Sequence, residues 1–175
     1  MNVLSGGKLT FATVSSGGEL NVSKGGSAAN IVVSSGGYEL VSSGGIASGT
    51  TIAGGTVEIT SGGSIGSKVT FAANSGTLLL DSTTFSGTVA GMTAQDTIDL
   101  RHFSFAEVQV TSSITATSAT LTVSAGGDIA HIILLGNYIG STFTASNDGF
   151  GGTSIVDPPG TTSASLVSLA QTHKG

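Results

Sequence analysis

Pairs of adjacent glycines recur through the first third of the chain, and their spacing constrains the fold more than any other feature. The pairs fall at 6–7, 17–18, 25–26, 36–37, 44–45, 54–55 and 62–63, with successive steps of 11, 8, 11, 8, 10 and 8 residues. A long and a short step together give a period of 19 residues, and then of 18. A fixed period of this length is typical of a stack of similar supersecondary units.

The segments between the glycine pairs are predicted to be strands. They are only six to nine residues long and lie in a glycine-rich stretch, which disfavours helices in water. Apolar residues alternate with small polar ones, as in a strand with one buried face. Alignment of successive copies places equivalent residues in columns, which are Leu9, Ala28, Ala47 and Ile65; Ala12, Ile31 and Thr50; Val14, Val33 and Ile52; Leu20, Glu39 and Val57; and Val22, Val41 and Ile59. Val69 and Phe71 continue these columns.

Stacking equivalent residues on one another is the simplest way to bury these columns. We therefore predict an all-β fold, a parallel β-helix with equivalent strands about 4.8 Å apart and a β-rich C-terminal cap. It should be right-handed, as parallel crossovers nearly always are. The glycine pairs are predicted to form the corners, because a sharp turn requires positive φ or close backbone approach. The structural corner glycines are Gly17, Gly18, Gly25, Gly26, Gly36, Gly37, Gly44, Gly45, Gly54, Gly55, Gly62 and Gly63.

The repeated segments resemble a known family. Residues 14–28 and 33–45 are similar to the 19-residue passenger repeats of AIDA-type bacterial autotransporter adhesins in their spacing, Ser-Ser-Gly-Gly corner and alternating strand. The resemblance extends over about residues 1–73. It implies a surface-exposed or secreted β-helical stalk that serves adhesion or self-association, with heptose on serine in some members.

The same resemblance makes the serines that precede the corners candidate glycan acceptors. The alternative is that their hydroxyl groups only solvate strand ends and bond to the local backbone. These serines are Ser15, Ser16, Ser34, Ser35, Ser42, Ser43 and Ser61.

The period disappears after residue 73, and the remainder is predicted to form a cap and a tail. Residues 74–157 contain predicted strands at 77–81, 97–100, 119–123, 129–135 and 142–144, with turns at 124–128 and 147–149. Larger side chains gather there to close the apolar end of the solenoid, namely Phe85, Phe103, Phe105, Tyr138, Phe143 and Phe150. Stretches at 96–100, 134–138 and 148–153 resemble a C-terminal module of large exported proteobacterial repeat proteins. Residues 158–175 are predicted to be a linker or disordered tail.

Composition excludes several functional classes. The chain has no Cys, which rules out disulfides, thiolate zinc sites and thiol nucleophiles. Five Lys and Arg against ten Asp and Glu give a net charge of −5, so no nucleic-acid partner is expected. No apolar run approaches the roughly 18 residues of a membrane helix, and no membrane insertion by this segment is expected.

Acidic residues and histidines form no convincing reactive constellation, and we predict that the chain is not an enzyme. Two catalytic carboxylates must face each other across a cleft, whereas the loops here are short. The carboxylates considered are Asp96, Asp99, Glu107, Asp128 and Asp148. Asp99 with His102 lacks further metal ligands, and His131, between isoleucines, is expected to face outward or to be satisfied by a partner.

No cofactor is therefore expected, with calcium as the alternative at residues 147–152. That stretch is similar to one copy of a glycine-rich calcium-binding repeat, but shared calcium sites require tandem copies.

These features predict a non-catalytic structural or adhesive fragment of a bacterial secreted or cell-surface protein. Its expected partners are copies of itself or a host or bacterial surface, including surface carbohydrate. The alternative is a carbohydrate-binding module of a larger secreted enzyme, in which Tyr38 and Tyr138 stack on sugar rings.

Overall fold

The computed structural model describes residues 1–72, 75–83 and 85–157, and every regular element in these ranges is a β-strand. Because this part of the chain contains no helix, it also contains none long and apolar enough to cross a membrane. The strands are β1 (Asn2–Val3), β2 (Lys8–Thr10), β3 (Thr13–Val14), β4 (Glu19–Val22), β5 (Ser27–Ala29), β6 (Val32–Ser34), β7 (Tyr38–Val41), β8 (Ile46–Ser48), β9 (Thr50–Ala53), β10 (Thr56–Thr60), β11 (Ser64–Ile65), β12 (Lys68–Phe71), β13 (Thr77–Asp81), β14 (Ser86–Ala90), β15 (Thr97–Leu100), β16 (Gln109–Ile114), β17 (Ser118–Ala125), β18 (Asp128–Leu135), β19 (Thr144–Asn147) and β20 (Thr153–Val156).

The strands are arranged in three sheets that enclose one core. Sheet A has the order β1-β4-β7-β10-β13-β15-β20-β19, sheet B the order β2-β5-β8-β11, and sheet C the order β3-β6-β9-β12-β14-β18-β17-β16. Each of the first four turns of the chain contributes one strand to every sheet. The second, third and fourth turns each pair in parallel with the turn before them. The predicted all-β solenoid is therefore confirmed.

The register of the sheets places the predicted columns in contact. In sheet B, Leu9 is opposite Ala28, which is opposite Ala47. In sheet C, Val33 lies between Val14 and Ile52. Each of these columns faces the interior, where the side chains at 28, 33 and 52 are fully buried. Stacking of equivalent residues is therefore what fills the core.

The two glycines of each corner have different roles. Gly36 has φ of 73°, in the region that disfavours side chains. Gly37 has ordinary φ, but a Cβ atom there would lie 2.2 Å from the carbonyl oxygen of Val14 in the turn below. The first glycine therefore permits the turn of the chain, and the second permits two backbones to approach each other.

A third corner, which the glycine pairs do not mark, lies between sheets B and C. Phe11, Asn30 and Gly49 occupy it with φ of 56°, 54° and 67°, respectively. The backbone N–H of Phe11 donates to Ala29 at 3.1 Å, and that of Asn30 donates to Ser48 at 2.9 Å. The residue types differ while the conformation is repeated, so the longer step of the sequence period contains a bend that the sequence does not show.

Parallel stacking continues beyond residue 73 although the sequence period does not. β13 and then β15 extend sheet A, while β14 and then β18 extend sheet C. Beyond these levels the pairing becomes antiparallel, through β17 and β16 in sheet C and through β20 and β19 in sheet A. The division at residue 73 remains a prediction, and the predicted tail at 158–175 lies outside the described residues.

The cap contains part of the predicted aromatic plug. Phe103 is fully buried, and Phe85 and Tyr138 are nearly so. Phe150 is 91% exposed and takes no part in the closure. Four of the five predicted cap strands correspond to observed strands, whereas the predicted strand at 142–144 was misplaced because β19 begins only at Thr144.

One carboxyl group interrupts the apolar interior. Glu39 of β7 lies between Leu20 and Val57 in its column and has no exposed surface. Within the part of the chain that the structure describes, neither of its carboxyl oxygens has a hydrogen bond of normal geometry, and the hydroxyl group of buried Thr50 also lacks one. Burial raises the pKa of Glu39 to about 7, although the nearby Thr50 hydroxyl acts in the opposite direction.

We expect this carboxyl to make the stability of the fold depend on pH. Its ordinary pKa is 4.5 and its folded pKa about 7, so between these values the folded chain retains a proton that the unfolded chain has lost. Stability should fall by on the order of 3 kcal/mol as pH rises through this window and then level off. Glu39→Leu should remove that loss, as measured by urea unfolding at pH 5 and pH 8.

The matched control is Glu19→Leu on the adjacent strand of the same sheet, where Glu19 faces solvent. The control should retain the pH dependence of the parent chain. If the parent chain and Glu39→Leu showed equal pH dependence, the loss of stability could not be assigned to the carboxyl group of Glu39.

Candidate functional site

The outer face of sheet A carries a group of polar side chains contributed by three strands and two loops. Tyr38 of β7 donates a hydrogen bond from its hydroxyl group to Oε2 of Glu58 on β10. Arg101, just after β15, places Nη1 3.7 Å from Oε1 of the same carboxylate. Asp99 of β15 interacts electrostatically with Arg101 and with Asp148 of the β19–β20 turn. We call these five residues the sheet-A cluster.

The cluster contains more negative than positive charge, and this affects Asp99. Burial raises the pKa of Asp99, the negative charge of Asp148 raises it further, and Arg101 partly opposes both effects. Oδ1 of Asp99 and Oδ2 of Asp148 are each buried without a hydrogen-bond partner among the described residues. Among the sequence-derived carboxylates, the structure therefore brings only this pair together.

The other oxygen of Asp148 has a structural role in the turn at residues 147–152, the stretch that is similar to a calcium-binding repeat. Oδ1 accepts hydrogen bonds from the backbone N–H of Phe150 at 2.7 Å and of Gly152 at 2.9 Å. Oδ1 of Asn147 similarly accepts the N–H of Gly149 at 2.7 Å. Within the described ranges, no three His, Cys, Asp or Glu side chains are grouped closely enough to hold a metal ion. The conformation of the turn is thus held by hydrogen bonds from its own backbone N–H groups to the side chains of Asn147 and Asp148.

The remaining carboxylates considered in the sequence are separate from the cluster. Asp96 is fully buried, and its oxygens accept the N–H of Gly76 at 3.0 Å and the N–H and hydroxyl of Thr93 at 2.9 and 2.8 Å. This bonding holds the turn before β15. Glu107 is an exposed loop residue, and Asp128 begins β18 at a hairpin.

Both candidate histidines have side-chain partners. Nε2 of His102 lies 2.8 Å from Oδ1 of Asp81, so its partner is not the Asp99 considered from the sequence. His131 is exposed on the outer face of sheet C, and its Nδ1 lies 3.1 Å from the hydroxyl of Thr122. The expectation that His131 faces outward is confirmed.

The corner serines follow two edges of the solenoid. Five of them are exposed, namely Ser15, Ser16, Ser35, Ser43 and Ser61, whereas Ser34 and Ser42 are half-buried. Neighbouring turns stack these corners closely, since a Cβ atom on Gly36 would lie 2.8 Å from the hydroxyl oxygen of Ser16. The hydroxyl group of a corner serine therefore lies against the first glycine of the corner in the next turn.

The outer face of sheet C has an apolar stripe on β18. Ile129, Ile133 and Leu135 are 53%, 43% and 40% exposed, respectively. The strands on either side present mainly small side chains, since Ile133 lies opposite Thr88 of β14 and Thr120 of β17. A groove of about 320 Å³ adjoins the stripe, lined by Ile65, Ser67, Gly87, Thr88, His131 and Ile133. Its lining includes no carboxylate.

The two tyrosines proposed as sugar-stacking residues are not equivalent. Tyr38 is half-buried on the outer face of sheet A, but its hydroxyl group is bonded to Glu58. Tyr138 is only 4% exposed and packs against Phe143 with ring centroids 5.7 Å apart. The prediction that Tyr138 stacks on a sugar is wrong, because its ring faces the cap interior.

The architecture of the first three turns agrees with a comparison to known protein families. Residues 3–55 match the AIDA family, described as an adhesin of the bacterial autotransporter system and a probable stalk. The matched residues extend from β1 to the corner after β9, so they are the turns that contain the clearest repeats. Comparisons with curated proteins and with solved structures found no match.

Sequence reasoning missed two acidic members of the outer face of sheet A. Glu58 is outward-facing on β10 yet only 8% exposed, and Asp81 at the end of β13 pairs with His102. Glu58 aligns with Leu40 and Leu79 in the register of the sheet. A charged residue aligned with apolar residues of neighbouring copies was the signal that could have identified it.

Replacement of Asp99 by Asn should stabilise the protein at neutral pH. The amide removes a negative charge from the neighbourhood of Asp148. Its N–H can also donate a hydrogen bond to Oδ2 of Asp148, which has no partner among the described residues. We expect a gain of about 1 kcal/mol in the free energy of unfolding at pH 7.5. Because the raised pKa of Asp99 penalises ionisation in the folded state, the gain should shrink as pH falls.

The measurement is urea unfolding at pH 7.5 and pH 4, with Glu107→Gln as an exposed control that loses the same charge. A loss of stability in Asp99→Asn at pH 7.5 would show that the ionised carboxylate is needed in the cluster.

Proposed function

We propose that this chain is a non-catalytic structural segment of a bacterial adhesin that is secreted or exposed on the cell surface. The observation that carries the proposal is the match of residues 3–55 to an adhesin stalk family, in turns that stack without interruption onto further parallel levels. Eight strand levels in sheet A, spaced about 4.8 Å apart, give a rigid column. Such a column separates a binding surface from whatever anchors it.

The outer faces of the column are suited to contact with other copies of the chain. Charged residues are only 9% of the composition, so little charge repulsion opposes the approach of two faces. The exposed stripe of Ile129, Ile133 and Leu135 offers apolar surface that lateral contact would remove from water. We propose that these columns associate side by side through the outer face of sheet C, and weak contacts of this kind gain strength when repeated.

A charged side chain on the stripe should abolish lateral association. Ile133→Lys would place an ammonium group in the apolar contact, where it cannot be hydrated, and should remove the laterally associated species from the sedimentation profile. Ser64→Lys, which adds the same charge on the outer side of sheet B, is the matched control. The measurement is sedimentation velocity at several protein concentrations, and equal behaviour of the two variants would contradict a contact at this face.

Glycan attachment at the corner serines is a further part of the proposal. The exposure of Ser15, Ser16, Ser35, Ser43 and Ser61 on the solenoid corners supports it, since a transferase can reach such hydroxyl groups. We expect intact-mass analysis of the chain produced in its native host to show added hexose or heptose units. Ser34 and Ser42, which are half-buried, should carry less sugar than the five exposed serines.

The second candidate function is sugar binding as a module of a larger enzyme. The supporting observation is that the half-exposed ring of Tyr38 lies beside the carboxylate of Glu58, because aromatic faces and charged acceptors together bind sugars. A glycan array with the parent chain and Tyr38→Ala distinguishes the two functions. Sugar binding that is lost in Tyr38→Ala favours the module, whereas self-association without sugar dependence favours the adhesin segment.

A further inference from the structure

The last strand of sheet C lies at the edge of that sheet. β16 pairs with β17 on one side, and no strand of the described residues pairs with its other side. It is six residues long, contains neither proline nor a charged residue, and lies at the same end of the solenoid as β19. Edge strands in soluble proteins usually carry such residues, because these prevent pairing with another chain.

The hydrogen-bonding pattern of the hairpin shows which backbone groups face this edge. The N–H of Thr115 donates to the carbonyl oxygen of Ser118 at 2.8 Å, which makes this a hydrogen-bonded pair. Bonded and non-bonded pairs alternate in antiparallel sheets. The backbone groups of Thr111 and Ser113 therefore point towards β17, and those of Val110, Ser112 and Ile114 point away from it.

The side chains of these three residues lie on the core-facing side of the sheet. Their cross-strand partners Val123, Leu121 and Ala119 are fully buried. Ser112 is nevertheless exposed, and Val110 and Ile114 are only half-buried. The core-facing side is thus covered at β17 and left partly open at β16.

The strand is also complementary to itself. In an antiparallel pair centred on Ser112, Val110 of one chain would face Ile114 of the other, and Thr111 would face Ser113. β-Branched residues would meet on the inner side and hydroxyl groups on the outer side, both of which are favourable cross-strand pairs. The residues whose backbone groups point outward would face one another and could exchange both backbone hydrogen bonds.

We propose that a second copy of this chain pairs with β16 across a two-fold axis at Ser112. The two sheets C would then form one continuous sheet, with the solenoids joined at their capped ends. This contact deepens the self-association part of the proposed function but uses an edge rather than the outer face. Because the paired segment is short, the dimer should be weak, forming at roughly 10 µM to 1 mM.

Charge substitutions at the axis test the proposal. In sedimentation velocity of the full chain, Ser112→Lys and Ser112→Asp should each abolish the dimer, because like charges would face each other across the axis. An equimolar mixture of the two variants should restore it. Ser113→Lys, whose side chain lies on the other face of the same strand, is the control and should still dimerise.

Amide hydrogen exchange provides the second measurement. Protection of the amides of Val110, Ser112 and Ile114 should rise with protein concentration in the parent chain and stay low in Ser112→Lys. Protection that does not depend on concentration would overturn the proposal, since the edge would then be covered by the same chain. Absence of a dimer up to about 1 mM, or failure of the mixture to restore it, would overturn it as well.

The edge contact and the lateral contact can be separated. Ile133→Lys should leave the end-to-end dimer intact, because Ile133 lies two strands away from β16 on the outer face. A chain with Ile133→Lys that still dimerises, and loses the dimer when Ser112→Lys is added, would support the edge contact even if lateral association does not exist.

Discussion

The structure depends on hydrogen bonds that join each turn of the chain to the next, at the corners as well as along the strands. The N–H of Gly17 donates to the carbonyl oxygen of Gly36 at 3.0 Å, and that of Gly25 to Gly44 at 2.9 Å. Corners can take part in the ladder only if successive backbones come within bonding distance. This requirement explains why a side chain at Gly37 or Gly45 would collide with the turn below, and hence why glycine pairs set the period.

The sequence predicted the parts of the fold that depend on repetition. The columns through Ala28, Val33 and Ile52 were correct because each copy has an apolar residue at the same distance from a glycine pair. The corner at Phe11 and Asn30 was missed because left-handed backbone conformation there is adopted by different residue types. The parallel levels of β14 and β18 were not recognised, because no strand was predicted at 86–90 and because β18 pairs with residues 45 positions earlier in the sequence.

The site was less predictable than the fold. Asp99 and Asp148 were both noted in the sequence, but 49 positions separate them, and the antiparallel return of β20 onto β15 brings the turn that contains Asp148 next to Asp99. Glu58 was not noted, because its partners come from β7 and from the end of β15. Which side chains from different strands meet depends on the register of the sheet. Beyond the repeats, that register could not be deduced from the spacing of the glycines.

The direction of the ladder hydrogen bonds determines how the column would carry a load. Strands run across the long axis, and the bonds between successive levels run along it. A force that pulls on the two ends therefore stretches the bonds of all three sheets at once wherever three strands share a level. Among the described residues, β11 is the last strand of sheet B, so beyond that level the load falls on sheets A and C and on the cap. Rupture under tension should therefore begin nearer the cap than in the glycine-paired turns.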